Sequence, residues 1–253
     1  MTFPVGIPIG VGTLHPHFVF ETAAYIAGFR LYLRRRRLRG DHIADTARWS
    51  IITAAAVGAV VGSRLLNWLE DPSAVAAALD HPLTLFGGKT IVGALIGGWI
   101  AVEAVKRSLG LRAPTGDLFA VPLAAGIAIG RIGCFLSGLP DGTYGLETSL
   151  PWGVDFGDGV VRHPTAAYES AFAALLAVAL LRFERRSRLG EAFKAFMSSY
   201  LAFRLAIEFL KPRPALVAGL SAIQWACVGG LVYYSWWFVA RRSEQGAARP
   251  QEA

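Results

Sequence analysis

Four ionisable residues, Arg64, Arg131, Arg204 and Glu208, stand inside long apolar runs of the chain. A charge in hydrocarbon is costly, so such groups turn to a bundle interior or a wet cavity, and they mark sites of pairing or of function. Arg131 lies in Gly130-Arg131-Ile132-Gly133-Cys134-Phe135. Glycine at i−1 and i+2 lets another backbone or a ligand come close. No acid is near it in its own run, so the guanidinium needs an anion from elsewhere: a carboxylate on another helix or a lipid phosphate. Phosphate is the expectation, because the planar fork of arginine binds two oxygens at once. Arg204, Glu208 and Lys211 are spaced i, i+4, i+7 and share one helix face. They read as a structural ion pair or as part of an anion site. Arg64 reads as a snorkelling or paired residue, or as a further substrate contact. Glu103 and Glu169 fall near the ends of apolar runs, where solvation is cheap, and Glu103 is expected to have no special role.

Two further residues carry chemistry outside this set. His163 precedes Pro164, and proline is favoured in a first helical turn. A histidine at that helix start serves as a general base near neutral pH, or simply as a cap or interface residue. Cys134 sits at i+3 from Arg131, which would favour its thiolate. A small residue in a Gly-rich helix is nonetheless expected to pack rather than to act as a nucleophile. Cys134 and Cys227 are the only cysteines, and they offer neither a disulfide framework nor a metal-ligand spacing.

The elements that must hold these groups are long and apolar. The chain has 253 residues, 54% of them hydrophobic and 17% charged, against about a quarter charged in soluble domains. The charges are clumped, as in Arg34-Arg35-Arg36-Arg37-Leu38-Arg39, and between the clumps run stretches of the length a bilayer needs. Seven such segments are expected: Phe18–Leu33, Ile51–Leu69, Ile91–Val105, Leu118–Leu139, Thr165–Leu181, Ala195–Leu210 and Ala222–Ala240. The third is short and has an alternative start near Leu85. The expected fold class is therefore an all-α, polytopic bundle of seven transmembrane helices.

Orientation follows from arginine and lysine in the short connections. Those after the odd-numbered segments are basic, with Arg34 to Arg39 and Arg48, then Lys106, Arg107 and Arg112, then Arg182 to Lys194, then Arg241, Arg242 and Arg249. The others hold only Lys89, Arg162, or Lys211 with Arg213. This places the N-terminus outside and the C-terminus in the cytoplasm, in the inner (plasma) membrane. The net charge of +7 flanks the spans instead of forming one face, which argues against nucleic-acid binding. Met1 to Pro16 lacks a positive n-region and a small-residue cleavage site, so no cleavable signal peptide is expected. Residues 1–242 read as a single membrane domain and 243–253 as a polar, disordered cytoplasmic tail. The outer loop Pro140–Pro164, with Tyr144, Trp152 and Phe156, is expected to lie in the headgroup layer.

Read in order, the motifs resemble those of the prolipoprotein diacylglyceryl transferase family. Gly130-Arg131-Ile132-Gly133-Cys134-Phe135, with the Gly-rich loop to Pro151-Trp152-Gly153, resembles the family's Gly-Arg-x-Gly-Asn-Phe signature. His163-Pro164-Thr165 to Tyr168-Glu169 resembles its His-Pro-(Ser/Thr)-x-x-Tyr-Glu. Phe203-Arg204 to Glu208-Phe209 resembles Phe-Arg-x-x-x-Glu-Phe, and Gly219-Leu220-Ser221 to Gln224 resembles Gly-Leu-(Ser/Thr)-x-x-Gln. Gly62-Ser63-Arg64 and Gly87-Gly88 to Gly97 match more weakly. The chain departs from the pattern at Val92-Gly93-Ala94, where the family has His-Gly-Gly. It departs also at Cys134 and Ser137 for asparagines, at Leu139 for a glutamate and at Glu21 for a tyrosine.

The resemblance implies transfer of diacylglyceryl from phosphatidylglycerol to the lipobox cysteine of a prolipoprotein signal peptide at the surface of the membrane lipid, with no metal or organic cofactor. It implies that Arg131 and Arg204 hold the phosphate, that Glu208 orients Arg204 and that His163 moves the proton. Arg64, Gly130, Gly133, Tyr168, Glu169 and Gln224 would line the substrate. The departures leave two alternatives: a non-catalytic paralogue that binds lipid or lipoprotein, and a transferase that uses the same donor on another acceptor. A transporter is disfavoured by the lack of an inverted repeat.

Overall fold

The computed structural model describes residues 3–9, 12–77, 87–212 and 216–247. Seven long helices form, each over one expected segment: α1 Pro16–Arg39, α2 Asp45–Glu70, α4 Ile91–Ser108, α5 Asp117–Ser137, α6 Thr165–Phe183, α7 Glu191–Ile207 and α8 Ala222–Ala247. The short α3, Pro72–Ala77, follows α2. On length and composition α2, α5 and α6 are each able to cross a bilayer. Val57, Val60, Leu69, Leu175, Val232 and Trp236 face outward. An outward apolar face of this kind suits lipid rather than water.

Local chemistry sets the helix ends. Thr90 caps α4, its hydroxyl accepting from the Gly93 N–H at 3.2 Å. This puts the α4 start at Ile91; the alternative near Leu85 and the Asp80 region lie outside the described residues, as do Arg213, Arg249 and the tail beyond Ala247. α5 stops at Gly138, whose φ of +68° only glycine takes readily. Pro122 lies one turn inside α5. α7 closes in a tight 3-10 turn, Glu208–Leu210.

The fold is not purely helical. β1 (Ile7–Ile9) pairs antiparallel with β2 (Gly12–Leu14), and β3 (Val154–Asp155) with β4 (Val161–Arg162). Alternation of sidedness over two or three residues is too short a signal to read from sequence. The second hairpin turns through Gly157 and Gly159, both at positive φ, whose N–H groups donate to Asp155 Oδ1 at 2.8 and 3.1 Å. It gives the loop Pro140–Pro164 an ordered core, with Trp152 exposed beside it.

Contacts divide the chain into two compact units. The first comprises Met1–Ala44, Ala113–Tyr200 and Ala206–Arg213. Here α1 runs antiparallel to α5: a side chain at Gly133 would meet His17 and Phe20, Gly28 approaches Pro122, and Tyr32 stacks on Phe119 at 4.7 Å. α6 lies along α5, where the Ser170 hydroxyl donates to the Ala128 carbonyl at 2.7 Å. The Asp117 carboxylate accepts from the N–H groups of Gly190 and Phe193, which ties the start of α7 to the start of α5. At the other end of α1, Arg35 and Arg39 both reach the Glu184 carboxylate just after α6.

The second unit comprises Asp45–Arg112, Leu201–Leu205 and Pro214–Ala253. α2 and α4 pack antiparallel through glycines: a side chain at Gly62 would strike the Gly93 carbonyl and Gly97, and one at Gly58 would strike Gly97 and Ala101. Small residues of this kind let membrane helices approach backbone to backbone. α8 packs on both, with Trp99 against Tyr233 at 4.8 Å. Its start is held by Glu70, which accepts from the Ile223 N–H at 2.9 Å.

Candidate active site

The first unit buries an ionic network between α5 and α6. Arg131 and Glu169 are 7% and 0% exposed. Arg131 Nε lies 2.9 Å from Glu169 Oε2, and the Tyr200 hydroxyl donates to the other carboxylate oxygen. Of the two anions weighed for Arg131, the structure supplies the carboxylate on another helix. The expectation that Glu169 is cheaply solvated is corrected: Thr165 and Ala166 tuck the start of α6 inward, and the side chain one turn on is wholly buried. Desolvating both charges costs several kcal/mol each, so the pair persists only because each has its partner.

The glycines beside Arg131 do different work. At Gly133 a Cβ would sit 2.7 Å from Phe20 Cβ, so this glycine serves the α1–α5 contact. At Gly130 the nearest atom would be Ala24 Cβ at 3.8 Å, so space is left beside the arginine. Ser137 spends its hydroxyl proton on the Gly133 carbonyl at 2.8 Å.

A second polar cluster adjoins the first and was not foreseen. Arg131 Nη1 approaches Cys134 Sγ at 3.6 Å, and the thiol lies 3.9 Å from His17 Nδ1. The same ring nitrogen is 2.6 Å from Asp141 Oδ1, while His17 Nε2 is 3.3 Å from Glu21 Oε2. The Thr143 hydroxyl donates to Asp141 Oδ2 at 2.8 Å. Burial opposes ionisation of Asp141, but the hydrogen bonds from His17 and Thr143 outweigh it and carry the carboxyl down to about 2. His17 and Asp141 gave no signal on their own; the pointers were the departures at Glu21 and Cys134, which stand where the resemblance expects tyrosine and asparagine.

His163 is held by backbone and side chain. Its N–H donates to the Leu146 carbonyl and its carbonyl accepts from Gly145, both at 2.9 Å. Its Nδ1 is 3.4 Å from the Tyr168 hydroxyl, which accepts from Trp152 Nε1 at 2.8 Å. The Tyr168 oxygen has a second lone pair, and in the tautomer with the proton on Nδ1 that N–H donates to it, which leaves the Nε2 lone pair free. Arg162 leans over the Tyr144 ring at 5.2 Å and pairs with Asp158 at 2.7 Å. Glu208 also belongs to this unit and is 3% exposed.

Arg64, Arg204 and Gln224 lie in the second unit. Arg64 Nη1 donates to the carbonyls of Gly87 and Gly88, an anchoring role. Arg204 is 3% exposed. Ser221 and Gln224 form a reciprocal cap on α8: the serine hydroxyl accepts from the Gln224 N–H at 3.2 Å, and Gln224 Oε1 accepts from the Ser221 N–H at 2.9 Å. That fixes which end of the amide is oxygen, and Gln224 Nε2 stays buried without a hydrogen-bond partner among the described residues. Val92, at the place of the expected histidine, is packed in the core of this unit. Glu103 pairs locally with Lys106 at 2.8 Å.

Comparison with known proteins accords with these motifs. The family model described as prolipoprotein diacylglyceryl transferase matches residues 4–240. The phosphatidylglycerol–prolipoprotein diacylglyceryl transferase of Geobacter sulfurreducens is 33% identical over 240 residues, covering 88% of each chain. Proteins of the same name from Paracidovorax citrulli and Bordetella parapertussis are 30% and 32% identical, covering 92% and 89% of this chain and 94% and 90% of their own. The chain belongs to the prolipoprotein diacylglyceryl transferase family.

Proposed function

We infer that this protein transfers diacylglyceryl from phosphatidylglycerol to the lipobox cysteine of a prolipoprotein. The thiol sulfur attacks the glycerol carbon that bears the phosphate. A carbon–sulfur bond forms, the carbon–oxygen bond breaks, and glycerol phosphate leaves with the bonding pair. The observation that carries this reading is the buried Arg131, in the family's Gly-Arg-x-Gly segment, braced by Glu169 and Tyr200. A fixed guanidinium in a dry site stabilises the charge that grows on the leaving phosphate, with no reorganisation at the moment of reaction. A Cβ at Gly130 would meet only Ala24 at 3.8 Å, so a substrate group can approach the backbone there. The family's Phe-Arg-x-x-x-Glu-Phe motif, which Phe203 to Phe209 match, assigns Arg204 to the phosphate and Glu208 to orienting it. His163 takes the thiol proton on Nε2, its ring fixed by Tyr168.

The protein spans the bacterial inner membrane seven times with its N-terminus outside. Helix ends that this orientation puts on one side do meet within each unit. The ends of α1 and α6 join through Arg35, Arg39 and Glu184, and the starts of α5 and α7 through Asp117. The start of α1 meets the segment after α5 through His17 and Asp141, and the end of α2 meets the start of α8 through Glu70. Reporter fusions after Arg39, Arg112, Arg188 and Arg242 should read cytoplasmic, and one at Asp155 external; a cytoplasmic Asp155 defeats the arrangement.

The activity is tested by expressing the chain in a strain depleted of its own diacylglyceryl transferase. Growth and lipidated lipoprotein should return with the wild-type chain and not with Arg131→Lys, which keeps the charge but loses the fork. A membrane-inserted wild-type chain that restores neither contradicts the reading.

A further inference from the structure

We propose that His17 Nδ1, Cys134 Sγ and Asp141 Oδ1 form a binding site for one divalent cation of the zinc class. The donors come from three places in the first unit: the first turn of α1, the last turns of α5, and the 3-10 turn Leu139–Asp141 beyond Gly138. All three atoms lie within 4.8 Å of one another. Nitrogen, sulfur and carboxylate oxygen is a donor set that zinc takes, with bonds of about 2.0–2.3 Å, and three protein ligands leave a fourth position for water or substrate.

The surroundings resemble those of a ligand set more than those of a plain ion pair. Metal-bound histidines commonly hand their other ring nitrogen to a carboxylate, and bound carboxylates are themselves hydrogen-bonded. His17 Nε2 has Glu21 at 3.3 Å, which turns Nδ1 toward the cluster. Thr143 occupies Asp141 Oδ2 at 2.8 Å, which leaves Oδ1 for the cluster. A simple His17–Asp141 pair would need neither arrangement, and it would not need a sulfur 3.9 Å from the same ring nitrogen.

Charge also permits a cation here. Arg131 stands 3.6 Å from Sγ, but Glu169 balances it at 2.9 Å. The thiolate is the form that binds metal, so binding displaces the thiol proton. Asp141 adds a carboxylate at Nδ1 and Glu21 another at Nε2. On binding, the thiol proton and any proton on Nδ1 pass to water, and the cation takes their place between sulfur, nitrogen and oxygen.

The inference does not depend on the transfer reaction, because binding is read without substrate. The full chain, tag-free and metal-stripped in detergent, is titrated with Co2+ and then with Zn2+. One equivalent of Co2+ should bind with a thiolate-to-cobalt charge-transfer band, and Zn2+ should displace it. Cys134→Ser should lose that band, and His17→Gln and Asp141→Asn should each weaken binding by more than about tenfold. Thr143→Ala, which touches only the outer partner of Asp141, should weaken it by about tenfold. Wild-type protein that binds less than one equivalent, or binds Co2+ with no charge-transfer band, overturns the site whatever the variants do. So do His17→Gln and Asp141→Asn chains that bind as tightly as wild type.

Discussion

The seam between α2 and α4 and the face that α5 offers to α1 and α6 are both built on glycine, and they use it for opposite ends. In the α2–α4 seam Gly58, Gly62, Gly93 and Gly97 remove side chains so that two backbones touch. Around α5 the glycines flank a charge: Gly133 brings α1 close, while Gly130 leaves room beside Arg131. One region converts absent side chains into packing. The other converts them into a position for a buried guanidinium, whose energy rests on Glu169 and Tyr200 rather than on contact area. A Gly-rich motif in a membrane helix therefore acquires its meaning from what stands between the glycines.

The difference is broken most severely at Glu169. Glu169→Ala leaves Arg131 buried without its carboxylate and should cost about 3–5 kcal/mol, read as thermal unfolding in detergent. Arg131→Met with Glu169→Leu should recover most of that stability while transfer stays lost; equal instability of the single and double variants would mean the pair does not brace α5 against α6. At the packed seam, Gly62→Val forces a side chain into the Gly93 carbonyl and Gly97 and should cost about 1–3 kcal/mol or more, because backbone cannot yield as a rotamer can. Ser221→Ala removes half of the cap on α8 and should cost about 1 kcal/mol, with activity kept at permissive temperature. The smallest change in stability is expected at Gly130→Ala, which meets nothing closer than 3.8 Å and should gain up to about 1 kcal/mol in helix propensity. Transfer should nevertheless fall, since the added methyl occupies the space beside Arg131. Unchanged turnover there would detach the gap from the lipid.

The long helices were legible because hydrocarbon thickness imposes a length and an apolar composition that survive in a single sequence. Clumped arginines also marked one set of helix ends, and one of them, Arg35, is held by Glu184. Of the costly residues read in the apolar runs, Arg131, Arg204 and Glu208 are buried. Their partners were not. The acid beside Arg131 comes from another helix, and the placing of Glu169 at a span end concealed that its side chain is wholly enclosed. The His17–Cys134 approach joins residues 117 positions apart, beyond any spacing rule. Gln224 was legible as a motif residue, but its capping role needed the Ser221 geometry.

The most direct test of the account is a transfer assay on the purified full chain, using phosphatidylglycerol and a lipobox peptide, read by mass spectrometry of the peptide. Wild-type protein should add one diacylglyceryl group to the cysteine sulfur and release an equivalent of glycerol phosphate. The same peptide with serine in place of cysteine should stay unmodified, and Arg131→Lys should bind the lipid more weakly and give little product. A folded wild-type chain that leaves the cysteine peptide unmodified, or an Arg131→Lys chain as active as wild type, would contradict it.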